Sequence, residues 1–151
     1  MTKARAETEG TSGSAGRSTR KSAKILEPAI ILVEPQLGEN IGFAARAMAN
    51  FGLAELRLVA PRDGWPNEKA AAAAAGAASV VNRASLFASL DPAIGDLNFL
   101  LATTARPRGM VKPVLTPESA ARELATRGAK GERTGVPVSY THLTLPTILR
   151  V

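Results

Sequence analysis

The chain of 151 residues has no cysteine and a single histidine, His142. Disulfides and thiolate metal sites are thereby excluded. One imidazole also leaves nothing for a His-rich zinc site or a Ser/His/Asp triad. Aromatic residues make up only 4% of the sequence. No apolar run approaches the ~18 residues of a membrane-spanning helix, and the polar N-terminus lacks the apolar stretch of a secretory signal. Neither GxGxxG nor GxxxxGK[ST] occurs, so a nicotinamide Rossmann site and a P-loop lose their fingerprints. Paired carboxylates are missing too: Glu34 and Glu39 flank a turn with nothing to oppose them. The cysteine-free composition fits a reducing, cytoplasmic setting.

What is there begins with charge. The formal net charge is +6, and +4 of it lies in residues 1–26, where Lys3, Arg5, Arg17, Arg20, Lys21 and Lys24 face only Glu7 and Glu9. Residues 1–27 are rich in Ser, Thr and Gly and poor in large apolar side chains, so they read as a disordered basic tail. Such an arm suits phosphates, and equally a solvated tail that aids solubility.

From Pro28 the pattern changes. Ala29–Val33, "AIILV", is a continuous β-branched run, as expected of a strand buried on both faces. Ile41, Ala44, Ala45, Met48 and Phe51 then recur at helical spacing, with Gly52 at the helix end. "LRLVA" (56–60) predicts a second strand. Pro61–Gly64 reads as a turn, and Asn67 as the cap of an alanine-rich helix. Ser79–Asn82 is expected to be extended, 84–95 helical, and "NFLLATT" (98–104) a further buried strand. Thr116-Pro117-Glu118 opens another helix that runs to about Arg127, where Gly128 can end it. Alternating strands and helices predict an α/β fold: a Rossmann-like, mostly parallel sheet with helices on both faces.

In such sheets ligands bind beyond the carboxyl ends of the strands. Two of those ends carry unusual residues, Glu34 to Arg46 and Thr103 to Arg106, and they share one crevice if their strands are neighbours. Gly38 and Gly42 permit close approach, Asn40 suits a helix N-cap, and the helix start suits a phosphate. Arg46 lies roughly 140° around the helix from Ile41, away from the core stripe, where its fork of donors could hold a phosphate or a ribose oxygen. The plain alternative is a tight turn, a cap and a solvated cation. Thr103 and Thr104 equally fit an ordinary strand end, and Arg106 and Arg108 an ordinary loop.

The stretch "AIILVEPQLGENIGFAARAMANFGLAELRLVAP" resembles the first motif of the SpoU/TrmH branch of the SPOUT RNA methyltransferases, through Glu34-Pro35, Gly38, Asn40-Ile41-Gly42, Ala45 to Met48 and Phe51 to Leu53. "AAAGAASVV" and "LLATTARPRG" resemble later segments of the same family at the right spacing. The likeness is strongest to the tRNA (cytidine/uridine-2′-O-)-methyltransferases that act on the anticodon loop. It implies a homodimer that transfers a methyl group from S-adenosylmethionine to a ribose 2′-OH of tRNA without metal. It further implies that Arg46 is catalytic with support from Asn40, that Thr103, Thr104 and Ala105 line the cofactor pocket, and that Arg46, Arg106 and Arg108 contact RNA. A non-catalytic RNA-binding α/β module is the alternative.

The resemblance covers residues 28–136, read as the N-terminal part of a SPOUT domain. The family's later Gly/Glu strand-loop and Asn/Ser loop, which build its trefoil knot, have no counterpart. The sequence instead continues "PVSYTHLTLPTILRV" (137–151), which holds the only Tyr and His and no acidic residue. It resembles translated sequencing-adapter DNA, so these residues are expected to be non-native and the chain inactive as written, unless "PVSYTHLTLP" is a genuine strand.

Overall fold

The run Ala29–Val33 forms strand β1, with Ala29 and Ile31 wholly buried, as a strand covered on both faces must be. The computed structural model of the protein describes residues 25–103 and 114–139, with the backbone of 149–150. After β1 come α1 (Gly38–Asn50), β2 (Leu56–Val59), α2 (Glu68–Ala73), α3 (Ala78–Asn82), β3 (Ser85–Phe87), α4 (Leu90–Ile94), β4 (Phe99–Ala102), α5 (Pro117–Ala129), β5 (Thr134–Ser139) and β6 (Leu149–Arg150). They build one sheet in the order β3-β2-β1-β5-β4-β6, with every pairing parallel.

Helices cover both faces. α1, α2 and α3 pack on Leu32 and Leu58, while α4 packs on Ile31, Val33 and Val59. α5 covers Phe99 and Leu101, which alternate with the α4-facing Leu100 and Ala102, so α5 shares the α1 face. The steps β1 to β2, β2 to β3 and β4 to β5 run one way along the sheet and put their helices on one face. The step from β3 to β4 runs the other way and puts α4 on the opposite face. A single handedness for all crossovers requires that arrangement.

Several helix ends are where the sequence puts them. Gly52, at φ +72°, follows the last turn of α1. The Asn67 side chain caps α2 by accepting from the Lys69 and Ala70 N–H groups at 3.0 and 3.2 Å. The Thr116 hydroxyl caps α5 through the Ser119 N–H at 3.3 Å.

Other expectations are corrected. Ser79–Asn82 is helical, not extended: Gly76, at φ +81°, ends the alanine run, and the short α3 then buries Val80 and Val81 in the α1 core. Residues 84–95 split into the edge strand β3 and the helix α4. Gly128 does not end α5 but lies inside it, pressed on the Leu26 carbonyl, and the Leu26 N–H returns a bond to the Gly128 carbonyl at 3.1 Å. The helix ends one residue later, at Ala129, with Lys130 as its C-cap and Gly131 following at φ +83°.

The condition set for a directly shared crevice is not met. β1 and β4 are not adjacent, because β5 lies between them and pairs with both. β5 also runs across the boundary expected at residue 136, with Pro137, Val138 and Ser139 opposite Ile31, Leu32 and Val33. The basic tail up to residue 24 and most of the segment from 140 onward lie outside the described residues.

Candidate functional site

An all-parallel sheet brings the carboxyl ends of its strands to one edge, where Asn40 and Thr103 lie, while Arg46 stands eight residues along α1 from that edge. β1 and β2 leave that edge in the same way. Glu34 and Ala60, each the first residue beyond its strand, adopt left-handed backbone at φ +48° and +43°. Each first makes one more ladder bond, Glu34 N–H to the Val59 carbonyl at 2.8 Å and Ala60 N–H to the Phe87 carbonyl at 3.0 Å. Non-glycine residues hold this conformation at a cost of order 1 kcal/mol or more each.

α1 starts without a cap of its own. Its N-cap is Leu37, which has no side-chain acceptor. The Gly38 N–H instead donates to an Asp63 carboxylate oxygen at 3.1 Å, from the loop after β2. Asn40 is therefore not the cap. It sits in the first turn, half-buried, with its N–H on the Leu37 carbonyl at 3.1 Å. A protein carboxylate already meets the positive end of the helix, so that end is not left open for a phosphate in the way the sequence allows. Beside Asn40, one carboxylate oxygen of Glu39 is buried without a partner among the described residues.

Gly38 and Gly42 serve packing, not a ligand turn. A Cβ on Gly42 would lie 2.5 Å from the Ala70 carbonyl oxygen and 2.6 Å from the Ala73 Cβ, and one on Gly38 would collide with the Asn67 side chain. The two glycines let α1 lie directly on the alanine helix α2. This fixes which way α1 faces, with Ile41, Ala45 and Met48 inward and Phe43, Arg46, Ala47 and Asn50 outward. Arg46 is exposed, as its angular position predicts, and no hydrogen bond or ion pair joins its side chain to any described residue. Toward the described residues its donor fork is unengaged, as binding an external phosphate or hydroxyl requires.

On the far side of β5, Thr103 extends β4. It bridges Val138, and its N–H donates to the Pro137 carbonyl at 3.1 Å. Two interstrand spacings, roughly 10 Å, separate it from β1, so the crevice is three strands wide. Thr104, Ala105, Arg106 and Arg108 lie outside the described residues. Among the described residues no cluster of His, Asp or Glu could hold a metal ion, and no helix is long and apolar enough to cross a membrane.

Sequence reasoning missed the loop at 61–67. There Arg62 donates its N–H to the Pro35 carbonyl at 3.1 Å and pairs with Glu34 at 3.6 Å, and the Asn67 amide donates to the Asp63 carbonyl at 3.2 Å. The turn was legible in "PRDG". Its attachment to the start of α1, 25 positions upstream, was not.

Residues 27–126 match the SpoU rRNA Methylase family. Over 101 residues the chain is 42% identical to the tRNA (cytidine/uridine-2'-O-)-methyltransferase TrmJ of Pectobacterium atrosepticum, covering 67% of this chain and 40% of that protein. Over 103 residues it is 35% identical to the tRNA (cytidine-2'-O-)-methyltransferase TrmJ of Methanocaldococcus jannaschii, covering 66% and 44%. The crystal structure of TrmJ from Z. mobilis ZM4 superposes with a TM-score of 0.75 at 48% identity, over 83% of this chain and 58% of that one. The chain thus spans less than half the length of these curated relatives. The family match runs from Glu27, just ahead of β1, to Thr126 within α5, and by it the chain belongs to the SpoU methylase family.

Proposed function

We propose that this chain is the N-terminal part of an S-adenosylmethionine-dependent tRNA 2′-O-methyltransferase that acts on a ribose of the anticodon loop and works as a homodimer. The observation that carries the reading is Arg46: an exposed guanidinium without a described partner, on the outward face of the first helix of a methylase-family sheet. The tRNA methyltransferases to which the chain is similar give the substrate class.

A guanidinium stays protonated, so Arg46 is not the base. Its role is to hold the ribose oxygen in line for transfer and to stabilise charge there, while an RNA phosphate accepts the hydroxyl proton. Asn40 supports it from the first turn of the same helix. S-adenosylmethionine, when bound, supplies the activated methyl group. Thr103, half-buried at the end of β4 with no hydroxyl partner among the described residues, fits the pocket wall, continued by Thr104 and Ala105. Arg106 and Arg108 add RNA contacts. The outward Phe43 and the exposed Leu37 and Phe51 give α1 apolar surface for a second copy.

The test begins with the genomic locus, read through and beyond codon 136, and continues with protein expressed from the complete frame. Arg46→Lys should lose most methyl transfer to tRNA, because a point charge cannot replace the fork. Near-normal turnover in that variant rejects the role of Arg46. RNA binding by the complete protein without cofactor affinity or methyl transfer would instead identify an RNA-binding module.

A further inference from the structure

We infer that Asp63 is a positioning residue for this site: by holding the Gly38 N–H it fixes where α1 begins along its axis, and so where Arg46 stands. The inference rests on the methyltransferase reading above.

The argument starts from what α1 lacks. Leu37 supplies no cap, so the Asp63 carboxylate is the side-chain acceptor at the start of the helix, at 3.1 Å. The packing of α1 on α2 does not replace it. That contact is made by Gly38 and Gly42 against Asn67, Ala70, Ala73 and Ala74. Such a face allows close approach but has few large side chains to interdigitate, and interdigitation is what resists sliding between helices. Ile41 and Met48 hold the middle of α1 against the sheet and α3, and a polar stop adds a constraint at the helix start, where the contact with α2 is made by glycines and alanines. The loop that carries Asp63 is itself anchored to the strand end ahead of α1, through the Arg62 N–H on Pro35 and the Arg62–Glu34 pair at 3.6 Å. Asn67 holds the Asp63 carbonyl at 3.2 Å while touching Gly38. These ties converge on the four residues before α1 and its first residue. Arg46 stands eight residues further on, roughly 12 Å along the axis, so a displaced helix start displaces its guanidinium.

The test compares Asp63→Ala with Asp63→Asn in protein from the complete reading frame. Asparagine can still accept the Gly38 hydrogen bond but carries no charge. Single-turnover methylation of tRNA should fall by about tenfold or more in Asp63→Ala and stay within about threefold of the parent in Asp63→Asn. Cofactor affinity should hold in both. Equal losses in the two variants, or no loss in Asp63→Ala while Arg46→Ala is inactive, would overturn the inference. Normal turnover in Arg46→Ala would instead reject the methyltransferase reading. The geometry has a readout that needs no activity and applies if Asp63→Ala is poorly folded. Amide exchange at Gly38 should stay slow in Asp63→Asn and in the parent, and rise about tenfold in Asp63→Ala. Unchanged protection of Gly38 in a folded Asp63→Ala, or lost protection in Asp63→Asn, also overturns it.

Discussion

The guanidinium of Arg57, within β2, holds the carboxylate of Asp96 through two parallel hydrogen bonds, Nη1 to Oδ1 at 2.5 Å and Nη2 to Oδ2 at 2.8 Å. Nη1 also donates to the Ala93 carbonyl at 2.6 Å, and Nε and Nη2 both reach Glu55. Arg133, just ahead of β5, completes the set with Glu55 at 2.9 Å and Asp96 at 3.0 Å. The cluster ties the starts of β2 and β5 to the end of α4, at the sheet edge opposite the candidate site. Arg57 is buried at 5% exposure, which a cation tolerates only when its donors are engaged.

The cluster predicts an acid-dependent part of the stability. The Arg57 hydrogen bond pulls the Asp96 pKa from 3.8 to about 2, against a smaller opposing effect of burial. A carboxyl depressed by folding stabilises the protein fully above its unfolded pKa and stops doing so as pH falls through its folded value. Asp96→Asn should therefore be less stable than the parent at neutral pH, and the two should converge between about pH 4 and pH 2. Because Asp96 is nearly half-exposed, solvent screening limits the difference to about 1 kcal/mol. Urea unfolding at pH 7, 4 and 2 checks this; a difference that persists unchanged at pH 2 would contradict it.

Two glycines of the first motif should fail for different reasons. Gly42→Ala drives a methyl group against the Ala70 carbonyl and Ala73, so α1 must lift from α2, at about 1–3 kcal/mol. Gly52→Ala meets open space but is held at φ +72°, which costs about 1 kcal/mol. Thermal unfolding of the two variants should rank Gly42→Ala as the less stable. A crystal structure of Gly42→Ala should show a wider α1–α2 separation, with the backbone near Gly52 unchanged in its own variant.

Elements with a strong local signal were legible: the apolar runs of β1, β2 and β4, the periodicity of α1, and the caps Asn67 and Thr116. What failed depends on distant partners. "SVVN" carries β-branched residues, yet Val80 and Val81 gain more by burial beside α1 than by extension. "SLF" becomes a strand because the edge of β2 is free to pair with it, and Leu86 stays half-exposed there. Nothing local in Thr134–Ser139 announces that it will part β1 from β4. At the site, the outward direction of Arg46 follows from helix geometry, whereas the cap of α1, expected at Asn40, is supplied by an acceptor 25 residues away from Gly38.

The cap of α2 gives a prediction that separates the two roles of Asn67. Its side chain accepts from Lys69 and Ala70 and donates to the Asp63 carbonyl. Asn67→Asp keeps the acceptor and loses the donor, while Asn67→Ala loses both. Asn67→Ala should cost about 1 kcal/mol, with faster amide exchange at Lys69 and Ala70. Asn67→Asp should keep those amides protected and loosen only the loop at 61–67. Equal exchange at Lys69 in both variants would show that the α2 cap does not govern this end.

Arg127 is the last case, because three interactions meet on one side chain. Its guanidinium lies over the Phe99 ring, 3.8 Å from the centroid, and reaches Glu123 and Glu132 at 2.7 Å each. It thereby joins the last turn of α5 to β4 and to the approach of β5. The Glu123 pair is an ordinary helical ion pair, weak and screened by salt. The ring contact depends on the flat face of the guanidinium. A double-mutant cycle of Arg127→Met with Phe99→Leu should give a coupling of about 0.5–1 kcal/mol, largely retained in 1 M salt because a guanidinium stacked 3.8 Å from the ring centroid leaves no room for solvent or ions between the two groups, whereas the Glu123 pair is screened. Arg127→Lys should lose most of that coupling although it keeps the charge. If lysine retains it, charge alone holds this corner together and the stacked geometry contributes nothing measurable.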